Sequence, residues 1–235
     1  MPFRFRLLCS LVTVSIVAIG LAAFDLAAQS GHATSDISAA PNECPPGRAG
    51  PRPHTDAREA TPEEKASLVA RVAKSAYGAK MAAQIAVPLS KAIDDRSDAT
   101  SMSYSPEHGT QVGFTTKDGR SFLWYPGNAI VLPGKWLACE ERMSSSSPET
   151  GPVAFTYGTI CYQYGENTYN PVTKVAGAVW ECAAAGTRDA SLIERRKGDL
   201  FDLARRQRVP FVLAKDQTAF DVLLKQLPGG KAEQK

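Results

Sequence analysis

The cysteines constrain the fold of this chain more than any other feature. Four of them, Cys44, Cys139, Cys161 and Cys182, follow an N-terminal apolar segment that contains the fifth. Four cysteines can pair in three ways. We favour Cys161–Cys182, which would join two neighbouring strands. The other pair, Cys44–Cys139, would then tie the N-terminal region to the sheet. Since lasting disulfides form only outside the reducing cytosol, this pairing favours an exported protein.

A zinc site is the alternative use of four cysteines. The sequence contains no C-x-x-C pair, and no histidine lies close to any of the four cysteines. Structural zinc sites need ligands at such spacings. We therefore expect no metal, and the absence of a nucleotide or cofactor motif leads us to expect no cofactor.

The N-terminus has the pattern of an export signal. Arg4 and Arg6 precede an uncharged apolar run from Leu7 to Phe24, and small residues follow. This order is typical of a secretory signal peptide. We predict that residues 1–28 are removed after Ala28, or alternatively after Ala23, which places the protein in the periplasm or outside the cell. A retained membrane anchor is the alternative, because a spanning helix needs about 18 apolar residues.

The charge of the chain excludes one large class of partner. It has 27 basic and 24 acidic residues, a net charge of +3. A nearly balanced surface gives no general attraction to a polyphosphate backbone. We therefore expect no nucleic acid partner and, once the signal is cleaved, no stable insertion into a membrane.

The region before the β-rich part divides into a tail and helices. Residues 29–60 are rich in proline, glycine and serine, which predicts a disordered or draped tail. Thr61 and Glu64 form a capping-box pattern that begins a helix, and Gly78 is a plausible end for it. The region 79–93 is compatible with a second helix or a strand, and we predict a loop at 94–105.

Short strand-like runs between turn residues then continue from about residue 110 to residue 185. The Asp-Gly pair at 118–119 predicts a hairpin, and we also predict a turn at 133–134. Further along we predict a serine-rich loop at 144–152, a polar loop at 165–177 and a strand at 178–183. Runs at this spacing are typical of an antiparallel meander. The predicted fold class is α+β, mainly antiparallel β: a small meander or half-barrel with an N-terminal helix and a short C-terminal helix.

The C-terminal part completes this single predicted domain, residues 61–227. We predict a strand at Val209–Leu213 and a closing helix at Thr218–Leu227, and we expect residues 228–235 to fray. The basic clusters at 195–197 and 205–208 are interleaved with acidic residues, which favours a solvated face. The side chains predicted for the buried face of the closing helix are Phe220, Val222, Leu223, Leu224 and Leu227.

Five short motifs within the β-rich part carry a resemblance to other proteins when they are taken together. They are LWYPGN at 123–128, NTYNPVT at 167–173 and WEC at 180–182, with GKW at 134–136 and ICY at 160–162. Together they resemble a group of uncharacterised exported proteins of Gram-negative bacteria, over roughly residues 110–185. The resemblance implies a signal peptide and a small β domain. It implies no activity and no catalytic residues.

Aromatic residues around the second cysteine pair suggest a binding surface. If strand alternation holds, Tyr162 and Tyr164 share one face, and Tyr169 and Asn170 lie on the adjoining loop. Tyrosine rings and an amide could line a groove for an envelope glycan or a peptide. The alternative is that these tyrosines are core residues and that Asn167 and Asn170 brace the loop.

Three functional hypotheses follow. The first is a non-enzymatic binding or structural module at the cell envelope. The second is a secreted hydrolase that uses His108 with a carboxylate such as Glu107, although no G-x-S-x-G motif supports it and a solvated histidine is the alternative. The third is an inhibitor of cell-wall lytic enzymes that presents the loop at 165–177.

Overall fold

The computed structural model describes residues 44–45, 56–74, 78–147 and 150–227. The predicted signal peptide, most of the predicted tail and residues 228–235 lie outside this part of the chain. The strands are β1 Arg58–Glu59, β2 Ala99–Ser105, β3 Gly109–Thr115, β4 Arg120–Trp124, β5 Leu132–Ser147, β6 Gly151–Tyr164, β7 Glu181–Ala184 and β8 Leu192–Lys197. The helices are α1 Pro62–Ala73, α2 Gly78–Ala86, α3 Leu89–Arg96, α4 Ala185–Asp189 and α5 Phe220–Lys225.

All eight strands belong to one sheet, in the order β1-β6-β5-β4-β3-β2-β8, with β7 paired to β6. The strands β2 to β6 form a meander of antiparallel neighbours, and only β1 pairs in parallel. The sheet curls into a half-barrel, which confirms the predicted α+β class. It extends beyond the predicted boundaries of 110 and 185, because β2 and β8 pair at one edge.

One face of β2, β3 and β4 is closed by the C-terminal segment. Met102, Val112 and Trp124 are fully buried neighbours across these strands. They pack against Phe201 and Phe220, and the Trp124 ring meets the Phe201 ring at a centroid distance of 5.4 Å. This cluster is the largest apolar core in the described part of the chain, and it fixes the strands that carry the opposite face.

The helices pack against the other strands. Thr61 caps α1 through its side-chain oxygen, and the Glu64 carboxylate accepts the Thr61 N–H at 2.9 Å, which confirms the predicted capping box. The prediction that Gly78 ends this helix is wrong, since α2 begins there. Pro88 precedes α3, so the apolar stretch at 79–93 forms two helices: a proline interrupts a helix but is tolerated at its start.

Two predicted non-strand regions are in fact strands. The predicted loop at 94–105 contains the end of α3 and all of β2, whose serines face the open side of the sheet while Met102 faces the core. The predicted turn at 133–134 lies inside β5. A Cβ at Gly134 would lie 2.6 Å from the Gln163 carbonyl oxygen, so glycine here permits close packing rather than a turn.

The strand β5 also runs into the predicted serine-rich loop at 144–152, as far as Ser147, and β6 begins at Gly151. The predicted tail contains a short strand too, since Arg58 pairs in parallel with Val153. The long neighbouring strand β6 supplies the hydrogen-bond partners for the backbone of this segment. Its polar sequence alone has no pattern that would predict a strand.

The predicted strand at Val209–Leu213 is wrong. Its carbonyls bond to side chains and loops: the Phe211 oxygen accepts the Trp124 indole N–H at 3.1 Å, and the Leu213 oxygen accepts the Gly127 N–H. The segment crosses the sheet face instead of joining an edge. The closing helix α5 is present, with Phe220 and Leu223 buried as predicted, but Val222 is 48% exposed.

Both favoured disulfides are present in the structure. Cys161 and Cys182 are directly opposite each other on β6 and β7, and Cys44 is bonded to Cys139 on β5. The two bridges are neighbours, since the Cys139 and Cys161 sulfurs lie 3.8 Å apart. Three sulfurs therefore come close together, but each one is already bonded to another sulfur. Among the described helices, none is both long enough and apolar enough to span a bilayer.

Candidate functional site

A cavity of about 500 Å³ lies on the open face of the sheet. Its floor consists of alternate residues of neighbouring strands, as in the row formed by Ser101, Gly113 and Leu123. Alternation along a strand sends these side chains away from the core that holds Met102 and Trp124. Because Gly113 has no side chain, the middle of this row is low and the cavity is deeper there.

The floor is mostly polar. The strand β2 contributes Ser101, Ser103 and Ser105, and β3 contributes Gln111 opposite Ser103. Apolar side chains from the neighbouring strands, such as Leu123 on β4, line it as well. A cavity with apolar walls and a few convergent polar groups is typical of small-molecule sites.

The structure brings the predicted binding residues to this cavity. Tyr162, Tyr164, Tyr169 and Asn170 all line it. The rings of Tyr162 and Tyr164 are stacked, with centroids 6.4 Å apart and planes 10° from parallel. Burial raises the pKa of Tyr164, so its hydroxyl is a neutral donor and acceptor. Tyr169 is 59% exposed and lies at the rim.

Asn170 has a structural role in this wall. Its side-chain oxygen accepts the backbone N–H groups of Val172 and Thr173 at 3.0 and 3.2 Å. Its amide nitrogen donates to the Glu181 carboxylate at 3.2 Å, and that carboxylate also accepts the Thr173 hydroxyl. The loop between β6 and β7 is therefore braced by Asn170, as the alternative interpretation of the sequence held, while its side chain also borders the cavity.

Three arginines that the sequence did not single out for this site line the same cavity. They are Arg96 at the end of α3, Arg188 on α4 and Arg195 on β8. The Asp189 oxygen Oδ1 accepts from both Arg96 and Arg195 at 2.7 Å. The prediction of a solvated face is wrong for Arg195, whose side chain is only 16% exposed. Its position opposite Ser101 on the neighbouring strand turns it inward.

His108 lies at the edge of the cavity floor. Its Nδ1 is 3.0 Å from the Tyr125 hydroxyl, and the two rings meet edge to face. Burial lowers the pKa of His108, against the opposing effect of Glu107. In the described part of the chain, no serine, cysteine or carboxylate forms a hydrogen bond with the imidazole. The hydrolase therefore stays a hypothesis without an assembled nucleophile–base pair.

Comparison of the chain with protein-family models, with curated proteins and with solved structures gave no match. The cavity is the candidate functional feature of the described part of the chain, with its size, its stacked tyrosines, its serine-rich floor and its arginines. Such a surface can hold a small molecule through flat apolar contacts and directed hydrogen bonds.

Proposed function

We propose that this protein is an exported binding module that holds a small ligand, a fragment of an envelope glycan or a short peptide, in the cavity of its half-barrel. The observation that carries the proposal is the convergence of tyrosines 162, 164 and 169 on one cavity of about 500 Å³, a volume typical of small-molecule sites. The serines of β2 and Gln111 offer the hydrogen bonds that sugars and peptide groups need.

The proposed compartment draws support from two features. The N-terminal sequence has the order of a signal peptide, and the described cysteines are joined in two disulfides that a reducing cytosol would not maintain. The resemblance to exported Gram-negative proteins agrees with a role in the periplasm or outside the cell.

The other two hypotheses draw less support. In the hydrolase hypothesis, His108 would need a nucleophile within hydrogen-bond reach, and its partner is the Tyr125 hydroxyl. In the inhibitor hypothesis, the loop at 165–177 would be presented to an enzyme. Its Asn170 and Thr173 are instead engaged by Glu181 beside the cavity.

The test is native mass spectrometry of the protein purified from the envelope of its own host. We expect a retained adduct of small-molecule mass, released on denaturation. The variant Ser103→Trp places an indole on the cavity floor and should abolish the adduct. Val212→Trp is the matched control, because Val212 is 61% exposed and lies outside the cavity lining.

Both variants should melt cooperatively, near the temperature of the unmodified protein. Absence of any adduct, or an adduct that survives equally in Ser103→Trp and Val212→Trp, would refute the proposed binding site.

A further inference from the structure

Two of the three cavity arginines, Arg188 and Arg96, have an N–H donor without a partner among the described residues. Arg188 forms no ion pair in the described part of the chain; its side chain donates to the Glu181 backbone oxygen at 2.8 Å. Its Nε is buried and has no partner among the described residues. The guanidinium lies over the ring of Tyr162, 5.3 Å from the centroid, and so continues the tyrosine stack.

Arg96 is in a similar position. Its side chain is 3% exposed, and one terminal nitrogen donates to Asp189 Oδ1. The other terminal nitrogen is buried and has no partner among the described residues. The same Asp189 oxygen also serves Arg195, so one carboxylate oxygen is shared by two guanidinium groups. Leaving a buried charged donor unpaired is costly, so this N–H gains free energy from any acceptor that reaches it.

A third unsatisfied group lies in the same lining. The Ser121 hydroxyl is buried, and no described residue bonds to it. Ser121 stands next to Thr115 and Gly134 across the sheet, at the end of the floor that Tyr164 also borders. Three polar atoms of the residues that line the cavity therefore lack partners in the described part of the chain, and two of these atoms belong to guanidinium groups.

From these groups we infer that the ligand carries a carboxylate, and that Arg188 and Arg96 bind it. This inference rests on the proposed function and narrows it to acidic members of the two ligand classes. Arginine binds planar carboxylates through paired N–H donors, and it does so strongly where water is excluded. The Tyr162–Tyr164 stack beside Arg188 would hold the body of the ligand, with the serines of β2 bonding its polar groups.

The local charge favours a single negative charge on the ligand. Glu181 lines the cavity and Asp189 is bonded to two of the arginines, so a doubly charged phosphate would meet two nearby carboxylates. A carboxylate brings a single negative charge. A short peptide with a free C-terminus and an acidic sugar share this chemistry.

The experiment measures binding by isothermal titration calorimetry with matched acid and neutral probes. The peptide arm compares N-acetyl-Tyr-Phe with its C-terminal amide, and the sugar arm compares galacturonate, which carries one carboxylate, with its methyl ester. We expect an acid to bind about 10- to 100-fold more tightly than its neutral partner. The arm in which this preference appears identifies the source of the carboxylate.

Variants assign the preference to a residue. Arg188→Gln should reduce the affinity for the acid about 10- to 100-fold and the affinity for the neutral probe much less, so that the preference for the acid disappears. Arg188→Lys keeps the charge but not the fork of donors, so it should restore only part of the affinity. Arg205→Gln is the matched control, because that arginine is 86% exposed and lies outside the cavity lining.

The outcomes separate this inference from the proposed function. Equal binding of acid and neutral probes, or an acid preference that persists in Arg188→Gln, would overturn the carboxylate site while the cavity still binds. Failure of every acid probe at millimolar concentration would also overturn the carboxylate site. The mass-spectrometry test of the proposed function, in which Ser103→Trp should lose the native adduct, is a separate experiment. Its outcome does not depend on whether the ligand carries a carboxylate.

Discussion

The two faces of the strands β2, β3 and β4 differ completely, although they are made of alternate residues of the same short sequences. One face presents Met102, Val112 and Trp124 to the C-terminal segment and excludes water. The other presents Ser101, Ser103 and Gly113 to an open cavity. The same strands therefore carry the apolar core on one side and the cavity on the other.

The open side is held by different forces from the closed side. The closed face is stabilised by apolar burial, with aromatic rings meeting edge to face. The wall of the open face is the loop between β6 and β7, which is fastened by the Cys161–Cys182 bridge at its base and by the bonds of Asn170 and Glu181 within it. In this wall, the disulfide and the polar contacts hold the loop in place of an apolar core.

The largest expected effect is on the closed face. Trp124→Ala removes a fully buried ring that also donates a hydrogen bond to the Phe211 oxygen. We expect the free energy of unfolding to fall by about 3–5 kcal/mol, measured by urea denaturation. Ser103→Ala, on the open face of β2, should change the free energy of unfolding by less than about 0.5 kcal/mol. Similar losses in both variants would break the distinction between the faces.

The next effect concerns the wall of the open face. Replacing Cys161 and Cys182 together by serine opens a link between residues 21 apart in sequence. Chain-entropy reasoning predicts a loss of about 3 kcal/mol in the free energy of unfolding. The loop should also open locally, so trypsin should cut after the exposed Lys174 faster than in the unmodified protein. An unchanged cleavage rate would mean that polar contacts alone hold this wall.

The sequence predicted the elements whose signals are local. The capping box of Thr61 and Glu64, the Asp-Gly hairpin before β4 and the closing helix all depend on residues within a few positions of each other. The cysteine pairing was a long-range expectation, but it had only three alternatives. The four tentative binding residues lie together on one cavity, although their role in binding stays a prediction.

The elements that the sequence did not predict depend on distant partners. The strand β2 alternates serines with a single Met102, so its apolar face is too short to be recognised in the sequence. The strand β8 carries Arg195 and Arg196, which the sequence analysis interpreted as part of a solvated basic cluster. Arg195 becomes inward-facing only because Ser101 lies opposite it. Cavity arginines of this kind have no local signature. No strand was predicted at Leu192–Lys197, and alternation along such a strand is the signal that could have located Arg195.

A smaller effect is expected at Gly134, where the backbone of β5 lies close to Tyr164 and Ser121 on the open face. At Gly134 an added Cβ would lie 2.8 Å from a ring carbon of Tyr164 and 2.9 Å from the Ser121 hydroxyl. Gly134→Ala should therefore cost about 1–3 kcal/mol in the free energy of unfolding, and it should displace Tyr164 from the cavity wall. Gly165→Ala is the control, since nothing lies within 4 Å of its added Cβ. Equal stabilities of the two variants would show that the sheet relaxes freely beneath the cavity.

The smallest effect is a pH dependence that comes from His108 at the edge of the open face. Burial lowers the pKa of His108 below its usual value of about 6.5, and Arg188 acts in the same direction, while Glu107 and Glu181 oppose it. Below pH 6.5 the unfolded chain therefore binds a proton that the folded protein does not. Stability should fall as the pH decreases from about 7 toward the lowered pKa of His108, and it should level off beneath that value.

His108→Gln should remove this part of the slope, measured as the difference in unfolding free energy between pH 7 and pH 5. The other two histidines of the chain are present in both proteins, so their contributions cancel in the comparison. Tyr125→Phe retains the imidazole but removes its hydroxyl partner, so the slope should persist in that variant. If His108→Gln and the unmodified protein show the same slope, the His108 ring is as well hydrated in the folded cavity as in the unfolded chain, and the open face is wetter than its geometry implies.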